Sequence, residues 1–489
     1  MIHNNALIFP LKRNPSNAEY LYEGGVLSEN NIVIENSILT RGSRRYQSLT
    51  IKPKETFCED KMNGCFLFGG IILNHFGHFI TETISRLHHY NPSSHDGIIF
   101  LNSESINCYN DLPSWAKKIL TYLNINKNSV IVIKEITRIN SLVVPPPGFV
   151  LNKSMSGDYN RFLQDIALSK LDCSKASNKK VYISRNRFPK GLVAGESIIE
   201  SLLEVNGFTV IYPEKMPFEE QLTILENADI IVGISGSSLH NIIFNTSREK
   251  VLIEIQRRGG SNGTQKIINK NKKIQAYSIS AISRKNSNTS SSSVLVDIPV
   301  IASFLKDTIS DFIVTEDYYI EQEAVNAEYE LYCLYETLRD KINKTPDIKL
   351  EYLATKENIN ILYRVIKLRP EMDSVHFQLA RVLSSINSYE SALLFFKISI
   401  RLSNKNPMYY HYISKLYYKL DILSKADRFA YIACNIEPNN HSYLSHRIQV
   451  LEQLRLTHLI PDIINTFVTN NHKTKFLLNK LKKYSVCTN

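Results

Sequence analysis

The sequence predicts a mixed α/β protein with an all-helical region at its carboxyl end. Three observations support this prediction. Short β-rich runs alternate with helical stretches up to about residue 310, the later residues carry helical spacing almost throughout, and positions 34 residues apart repeat within that later part. The chain has 489 residues, which is long enough for about three domains.

The clearest series of strands and helices lies between residues 181 and 255. Apolar, β-branched runs predict strands here, and Gly207 is a typical C-cap for the first helix between them. The predicted strands are Val181–Ser184, Phe208–Tyr212, Ile230–Val232 and Val251–Ile255, and the predicted helices are Glu196–Leu203, one opened by Pro217, and Ser237–Phe244. This alternation predicts a parallel sheet with right-handed crossovers, which is a Rossmann-like domain.

A second α/β unit precedes this series. Its predicted strands are Phe66–Leu73, Ile98–Leu101, Ser129–Ile133 and Leu142–Val144, and its predicted helices are Gly77–Tyr90 and Trp115–Leu123. We interpret Pro145–Gly148 as a stiff joint and the Ser- and Asn-rich segment Ser278–Ser293 as a loop. The predicted domains are therefore an N-terminal α/β domain over residues 1–150 and a Rossmann-like domain over residues 151–310.

The remaining residues, 311–489, predict a helical-repeat domain. Residues 311–340 hold nine acidic residues and one basic residue. Apolar residues recur there at three- and four-residue steps, which predicts a helix with one apolar stripe formed by Ala324, Ala327, Leu331, Leu334 and Leu338.

A period of 34 residues follows this acidic helix. It relates Leu368, Leu402 and Ile436, as well as Pro370, Asn404 and Pro438, Ala392 and Ala426, and Leu379 and Ile413. The period resembles tetratricopeptide repeats, in which small residues allow the two helices of each repeat to pack closely. An irregular helical bundle is the alternative interpretation.

Composition excludes several classes of protein. The net charge is +11, the longest strongly apolar run (Cys65–Leu73) is too short to span a membrane, and no basic segment with an apolar stretch opens the chain. The seven cysteines contain no C-x-x-C pair, so neither a zinc ribbon nor a disulfide framework is predicted. We expect a cytoplasmic protein.

A first group of polar residues follows directly after the predicted strand 66–73, in the segment Asn74–Arg86. His78 and Glu82 lie four residues apart and therefore on the same face of a helix. Such a pair can act as a base with the group that orients it, or as a phosphate-facing donor with its counter-charge. A surface or packing pair is the alternative, and a zinc site is disfavoured because the second His of an H-E-x-x-H helix is missing.

A second group lies at the carboxyl ends of the later strands. Arg185, Arg187 and Lys190 follow one strand, and the small-residue loop Gly233–Asn241 follows another. Small residues let the backbone approach a ligand closely, and the amino end of the next helix favours negative charge. Because both features end strands of one sheet, we expect them to form a phosphate site, with the arginines as bidentate donors.

The order and spacing of these motifs resemble glycosyltransferase family 61 over about residues 65–256, in its bacterial branch associated with capsule and surface polysaccharide. The motifs that carry the resemblance are Gly77–Phe79, Tyr182–Arg185, Gly236–Asn241 and Ile253–Ile255. The resemblance implies a GT-B-like pair of Rossmann-type domains and an inverting, metal-independent transferase that uses a nucleotide-sugar donor.

The resemblance also assigns roles to individual residues. His78 and Glu82 match the family motif that contains His-Phe, and Arg185 and Arg187 match its Ser-Arg…Arg segment. The donor-side motif is matched by Gly236, Ser237, Asn241 and Glu254. The residues themselves add Lys190, Ser235 and Ser238 to the predicted phosphate site. Two departures stand out: Gly195 replaces an Asn common in the family, which leaves the role of Glu196 open, and Ser235 replaces a His of many eukaryotic members.

The sequence agrees with a mechanism that needs no metal or other cofactor. It contains no Asp-x-Asp, the usual clamp for Mg²⁺ or Mn²⁺ in the other transferase architecture. The leaving nucleoside diphosphate would then be stabilised by Arg, Lys and helix amino ends. Inversion needs one base for the acceptor hydroxyl, and His78, Glu82 or the two together are the candidates.

The expected acceptor is a growing surface glycan, either capsular polysaccharide or lipopolysaccharide, free or linked to lipid. The helical repeats would hold a partner protein or the acceptor, and no nucleic acid is expected, since no reader motif is present. The basic tail contains Lys473, Lys475, Lys480, Lys482 and Lys483, which indicates a solvated tail or peripheral attraction to an anionic inner membrane. A non-catalytic repeat scaffold with a degenerate transferase domain is the alternative function.

Overall fold

The computed structural model describes residues 2–14, 18–49, 60–102, 106–171, 179–188, 190–246, 248–257, 262–285, 292–314, 322–438 and 440–464. These residues divide into two compact units. The first is drawn from residues 1–186, 195–283 and 296–320, and the second from residues 187–194, 284–295 and 321–489. A mixed α/β region followed by helical repeats agrees with the predicted order of fold classes.

The first unit opens with a mixed sheet. Its strands and neighbouring short strands are β1 (Ile2–Arg13), β2 (Tyr22–Leu27), β3 (Thr40–Arg41), β4 (Arg44–Arg45), β5 (Gln47–Ser48), β6 (Asp60–Ile71), β7 (Gly97–Leu101), β8 (Val130–Ile133), β9 (Thr137–Val143), β10 (Phe149–Val150) and β11 (Ser154–Met155). The sheet order in the described residues is β5-β2-β1-β9-β6-β7-β8. The predicted strands are confirmed as β6 to β9. The antiparallel strands β1 and β2 were not predicted, so this sheet is not of the all-parallel Rossmann type.

The helices of this half are α1 (Phe76–Thr81), α2 (Ser114–Tyr122) and α3 (Gly157–Lys170). The prediction of one helix over Gly77–Tyr90 is wrong beyond Glu82, where the chain continues as a 3-10 helix. The cause is Thr83, whose hydroxyl donates to the carbonyl of Ile71 (2.9 Å) and accepts from the backbone N–H of Leu73 (3.0 Å). These bonds tie the chain back to the end of β6.

The second sheet agrees with the predicted parallel series. The elements along this stretch are β12 (Lys179–Ile183), β13 (Val193–Ala194), α4 (Glu196–Val205), β14 (Phe208–Ile211), α5 (Phe218–Glu226), β15 (Ala228–Ile234), β16 (Lys250–Ile255), α6 (Gly263–Asn271), β17 (Ile274–Ile279), β18 (Ile282–Lys285), β19 (Val294–Val296) and α7 (Ile298–Thr308). Within the described part, β14-β12-β15-β16-β17 form a sheet in which every pairing is parallel.

The predicted helix Ser237–Phe244 is confirmed and is a 3-10 helix. One local prediction in this region is wrong. The predicted loop Ser278–Ser293 instead begins with the end of β17 and the strand β18, which belongs to a small sheet ordered β13-β19-β18.

A single apolar core connects the helices of both sheets in the first unit. It contains Ile80 of α1, Leu120 of α2, Leu163 of α3 and Leu222 of α5, all fully buried, and Phe244 after β15. Burial of one such side chain stabilises the fold by about 1.5–3 kcal/mol. This core fixes the carboxyl edge of β6 relative to the carboxyl edges of β12 and β15.

The second unit contains the helices α8 (Gln322–Lys344), α9 (Lys356–Leu368), α10 (Asp373–Ser385), α11 (Tyr389–Leu402), α12 (Pro407–Lys419), α13 (Leu423–Ile436) and α14 (His441–Gln453). The starts of α10, α12 and α14 are 34 residues apart, as are those of α11 and α13. This spacing confirms the predicted repeat of paired helices. The fully buried small residues Ala392 and Ala426 lie where two helices pack.

The apolar stripe predicted for the acidic helix is partly wrong. Leu331 and Leu338 of α8 are buried, whereas Ala324, Ala327 and Leu334 are exposed. The buried face instead carries the large side chains Val325, Tyr329, Tyr332, Tyr335 and Ile342. A tyrosine ring has far more apolar area to bury than an alanine side chain. The face that carries the tyrosines is therefore buried in place of the predicted stripe.

Two buried histidines make the helical unit sensitive to acid. The imidazoles of His411 and His446 lie 5.1 Å apart, and Ser414 accepts a hydrogen bond from Nε2 of His446 (2.9 Å) while it donates to the carbonyl of Ala426. Burial chiefly, with the charge of Lys415, lowers the pKa of His446 to about 4. The folded unit therefore holds this imidazole neutral.

We expect the protein to lose stability as the pH falls from about 6.5 towards 4. In this window His446 is protonated in the unfolded chain but stays neutral in the folded one. The free energy of unfolding therefore falls by an amount on the order of 3 kcal/mol for a pKa shift of this size. His446→Gln removes the titration, so its thermal midpoint should fall less steeply with pH than that of the wild type. Equal slopes for the two proteins would show that His446 does not carry the effect.

Candidate active site

The first part of the site stands where β6 leads into α1. His75 caps this helix by accepting from the backbone N–H of His78 (3.5 Å). On the same face, Nδ1 of His78 lies 2.7 Å from Oε2 of Glu82. The His78 side chain is 36% exposed and that of Glu82 only 6%. The structure thus brings the predicted pair together, with the imidazole towards solvent and the carboxylate beneath it.

Arg41 completes this group, and the sequence did not point to it. Its Nε donates to Oε1 of Glu82 (2.8 Å) and its Nη2 to Oε2 (2.9 Å), a bidentate ion pair formed from the end of β3. Burial raises the pKa of Glu82, but the hydrogen bonds from His78 and Arg41 outweigh it, so the net shift is downward. Glu82 is therefore held as a carboxylate and is a poor base.

The same geometry assigns the two nitrogens of His78. Nδ1–H donates to the Glu82 carboxylate, which leaves the lone pair of Nε2 to accept a proton. Nearby, His240 is buried and hydrogen-bonded through Nδ1 to Gln265 (2.7 Å). Burial chiefly, with His78 and His75, lowers the pKa of His240 to about 4, so this ring is neutral.

The second part of the site lies after β12. The carboxylate of Glu196, which is buried, accepts from the backbone N–H of Arg185 (2.6 Å) and from the hydroxyl of Tyr182 (3.1 Å), while the hydroxyl of Ser184 donates to Glu200 (2.5 Å). Glu196 therefore fixes the backbone at the point where Arg185 leaves the sheet. The sequence left the role of Glu196 open, and the structure shows that its carboxylate holds the backbone N–H of Arg185.

The loop after β15 touches both parts of the site. A Cβ built on Gly236 would lie 2.8 Å from Nη1 of Arg185, and a Cβ built on Gly77 would lie 2.6 Å from Oγ of Ser237. Only glycine at these two positions permits such close approach. The loop 234–238 is thus bordered by Arg185 and by the helix that carries His78.

Other predicted donor-side residues have structural hydrogen bonds. Ser235 Oγ accepts from the backbone N–H of Arg257 (2.8 Å), and Nδ2 of buried Asn241 donates to Gln221 (3.0 Å). Ser238 is partly exposed in the same loop. These bonds stabilise the conformation of the loop. They also occupy one side-chain polar atom each of Ser235 and Asn241, which reduces the hydrogen bonds that these residues can make to a ligand.

Glu254, like Asn241 through its Oδ1, has a buried side-chain oxygen without a hydrogen-bond partner among the described residues. This oxygen is Oε1, and Glu254 is 5% exposed. Burial raises the pKa of Glu254 more than the charge of Lys266 lowers it. A buried acceptor oxygen of this kind is typical of a position that a ligand hydroxyl satisfies.

Arg187 and Lys190 are exposed and fall in residues 187–194, which belong to the second compact unit. Their contribution to the site stays a prediction. Among the described residues, no three His, Cys, Asp or Glu side chains are grouped so that they could hold a metal ion. In that same part of the chain, no helix has both the length and the apolar character needed to cross a membrane.

We expect Gly236→Ala to weaken donor binding while leaving the fold intact. The new methyl group would meet the far end of the Arg185 side chain, which can move at little cost to stability but loses its place in the site. Gly157→Ala is the matched control, because nothing lies within 4 Å of its Cβ position. Donor titrations and thermal unfolding of both variants check this, and equal donor binding by the two would contradict it.

Comparison with known proteins agrees with the resemblance for part of the chain. Residues 76–253, a little over a third of the sequence, match the family model described as Glycosyltransferase 61. The match confirms the resemblance over that segment, while the bacterial capsular branch stays a prediction. A search of curated proteins finds no match.

Several solved structures are similar to parts of the chain. They include the Naa15/Naa10 complex bound to HypK-THB (15% identity, 30% of this chain, 22% of that chain, TM-score 0.27). The Arabidopsis OM64 TPR domain (16% identity, 24% and 95%, TM-score 0.21) and YrrB, a TPR protein with an unusual peptide-binding site (19% identity, 24% and 62%, TM-score 0.22), are also similar. The chain spans about a fifth of the length of the first of these.

Proposed function

We propose that this protein is a glycosyltransferase that moves a sugar from a nucleotide-sugar donor to an acceptor hydroxyl, with inversion and without a metal ion. The observation that carries the proposal is the placement of the loop 234–238 between Arg185 and the helix of His78. A cation for a leaving diphosphate and a base for an incoming hydroxyl therefore border one loop. The family match over residues 76–253 supports glycosyl transfer.

On the donor side, Arg185 binds the diphosphate as charge develops on the leaving oxygen. Arg187 and Lys190 add positive charge, and the small residues Gly236 and Ser237 let the backbone approach the phosphates. The unpartnered oxygen of Glu254 accepts a hydrogen bond from a donor hydroxyl. In this arrangement the protein's own cations take the place of a divalent metal.

On the acceptor side, His78 is the base. Nε2 removes the proton of the acceptor hydroxyl as its oxygen attacks the anomeric carbon, and the bond to the leaving phosphate oxygen breaks on the opposite face. The imidazolium that forms is stabilised by the Glu82 carboxylate, which Arg41 holds in place. Of the alternatives that the sequence left open, we propose His78 as the base and Glu82 as its positioning residue.

We further propose that the acceptor is a surface glycan such as capsular polysaccharide or lipopolysaccharide, and that the reaction takes place in the cytoplasm. The repeats of paired helices α9–α14 offer a surface for a partner protein. Attraction of the basic tail to an anionic inner membrane belongs to the same proposal, and its lysines lie outside the described residues.

The test is a turnover assay of the full chain with UDP-, GDP- and CMP-sugars and purified surface glycans as acceptors. We expect nucleotide release with one donor class, equal rates with and without EDTA, and a product of inverted anomeric configuration by NMR. A retained configuration or a loss of rate in EDTA would contradict the proposed mechanism. No turnover and no nucleotide binding would favour the non-catalytic scaffold.

A further inference from the structure

A short hairpin beside the base presents two arginines opposite each other. In the antiparallel pair β3–β4, Arg41 is the direct partner of Arg44. Directly opposed side chains share one face of a hairpin, where like charges repel. Both side chains pack on one ring, since their guanidinium carbons lie 4.9 and 5.2 Å from the centre of Tyr46.

The two arginines differ in their partners. The charge of Arg41 is neutralised by its bidentate pair with Glu82. Arg45, the next residue, donates to the carbonyl of Gln47 (3.1 Å) and lies 3.5 Å from Glu35. Arg44 is exposed and makes no hydrogen bond or ion pair with any residue that the structure describes. The hairpin therefore carries one cation without an anionic partner among the residues described, opposite Arg41, whose Nη2 lies 3.4 Å from Nδ1 of His78.

The hairpin backbone is held in place around Arg44. The N–H of Gly42 donates to the carbonyl of Leu151 (2.7 Å), and the N–H of Tyr46 donates to that of Leu39 (2.9 Å). Gly42 has φ +61°, which favours glycine at the turn. A ligand that binds Arg44 thus needs to order one side chain, not a loop, which lowers the entropic cost of binding.

We infer that Arg44 and Tyr46 form a subsite for an acidic group, carboxylate or phosphate, of the acceptor saccharide. The inference rests on the proposed function, because His78 as the base defines this side as the acceptor side. A guanidinium binds either anion through two parallel hydrogen bonds, and the ring of Tyr46 supports the guanidinium of Arg44. The hairpin precedes residues 76–253, so the subsite adds substrate selection to the part matched by the family model.

The test measures binding of small saccharides to the full chain by calorimetry or saturation-transfer NMR. The probes are methyl glucuronide, glucose 6-phosphate, neutral methyl glucoside and inorganic phosphate. We expect one or both charged sugars to bind more tightly than the neutral one, and the tighter of the two identifies the acidic group. Arg44→Gln should weaken that binding about tenfold or more. Arg44→Lys should retain part of the charged-sugar binding, because an ammonium group keeps the positive charge but cannot form the two parallel hydrogen bonds of a guanidinium.

Arg45→Gln is the matched control, since it removes the same charge from the same hairpin and should leave binding unchanged. Equal binding of charged and neutral sugars would overturn the subsite, as would an equal loss in both variants. Inorganic phosphate that binds as tightly as glucose 6-phosphate would overturn the assignment to a saccharide. Nucleotide binding measured on the same samples separates the two claims: Arg44-dependent saccharide binding without nucleotide binding would contradict the proposed function and leave the subsite standing.

Discussion

Replacement of Arg185 with alanine is expected to lower donor turnover by about 10² to 10³, the usual loss when one donor to a developing negative charge is removed. Arg185 is the cation whose backbone Glu196 fixes and whose guanidinium touches Gly236. We expect the fold to survive, because the backbone N–H that donates to Glu196 is kept in the alanine variant. Steady-state kinetics with the preferred nucleotide sugar measures the effect.

Arg185→Lys and Glu196→Gln are the informative companions to that variant. The lysine keeps the charge but loses the bidentate geometry, so we expect an intermediate rate. Glu196→Gln keeps an acceptor for the Arg185 N–H but loses its charge, and we expect a smaller loss of turnover with some loss of thermal stability. Wild-type turnover in Arg185→Ala would remove this residue from the mechanism.

The second large effect is expected for His78→Ala. Loss of a general base typically costs about 10² to 10⁴ in rate. Because Nε2 of His78 faces outward while Nδ1 is bonded to Glu82, the substitution should lower kcat and leave donor affinity close to that of the wild type. Transfer rates and donor titrations on the same protein separate these two quantities.

Glu82→Gln and Arg41→Ala test the support beneath His78. Glu82→Gln removes the charge that stabilises the imidazolium, so its loss of kcat should be real but smaller than that of His78→Ala. Arg41→Ala leaves the buried Glu82 carboxylate without its bidentate partner, which should raise the pKa of Glu82 and lower stability. A larger kcat loss in Glu82→Gln than in His78→Ala would point to Glu82 as the base instead.

The parallel half of the fold could be predicted because its strands are encoded locally. Runs such as Ile230–Val232 are apolar on both faces, and each is separated from the next by a helix with its own period. The mixed sheet was harder, since β1 pairs with β9, more than a hundred residues away in the chain, and β2 joins the sheet through β1. The spacing of apolar residues within a strand does not identify a pairing partner so far away in the chain.

The candidate site also contains residues that the local sequence predicted and one that depends on a distant partner. His78, Glu82, Arg185 and the loop around Gly236 were found because each lies at a strand end with a distinctive local sequence. Arg41 was missed because it reaches Glu82 from 41 residues earlier in the chain, in a segment with no helical or strand period of its own. The Arg-rich composition around it was the available signal, and charge alone does not identify a partner.

The most direct test of the central claim is calorimetric titration of the full-length wild-type protein with UDP-, GDP- and CMP-sugars. The geometry around Arg185, Gly236 and Glu254 predicts binding of one nucleotide class at one site per chain, weakened in both Arg185→Ala and Gly236→Ala and unchanged in Gly157→Ala. Absence of binding by every nucleotide sugar, or binding that Arg185→Ala leaves intact, would contradict it.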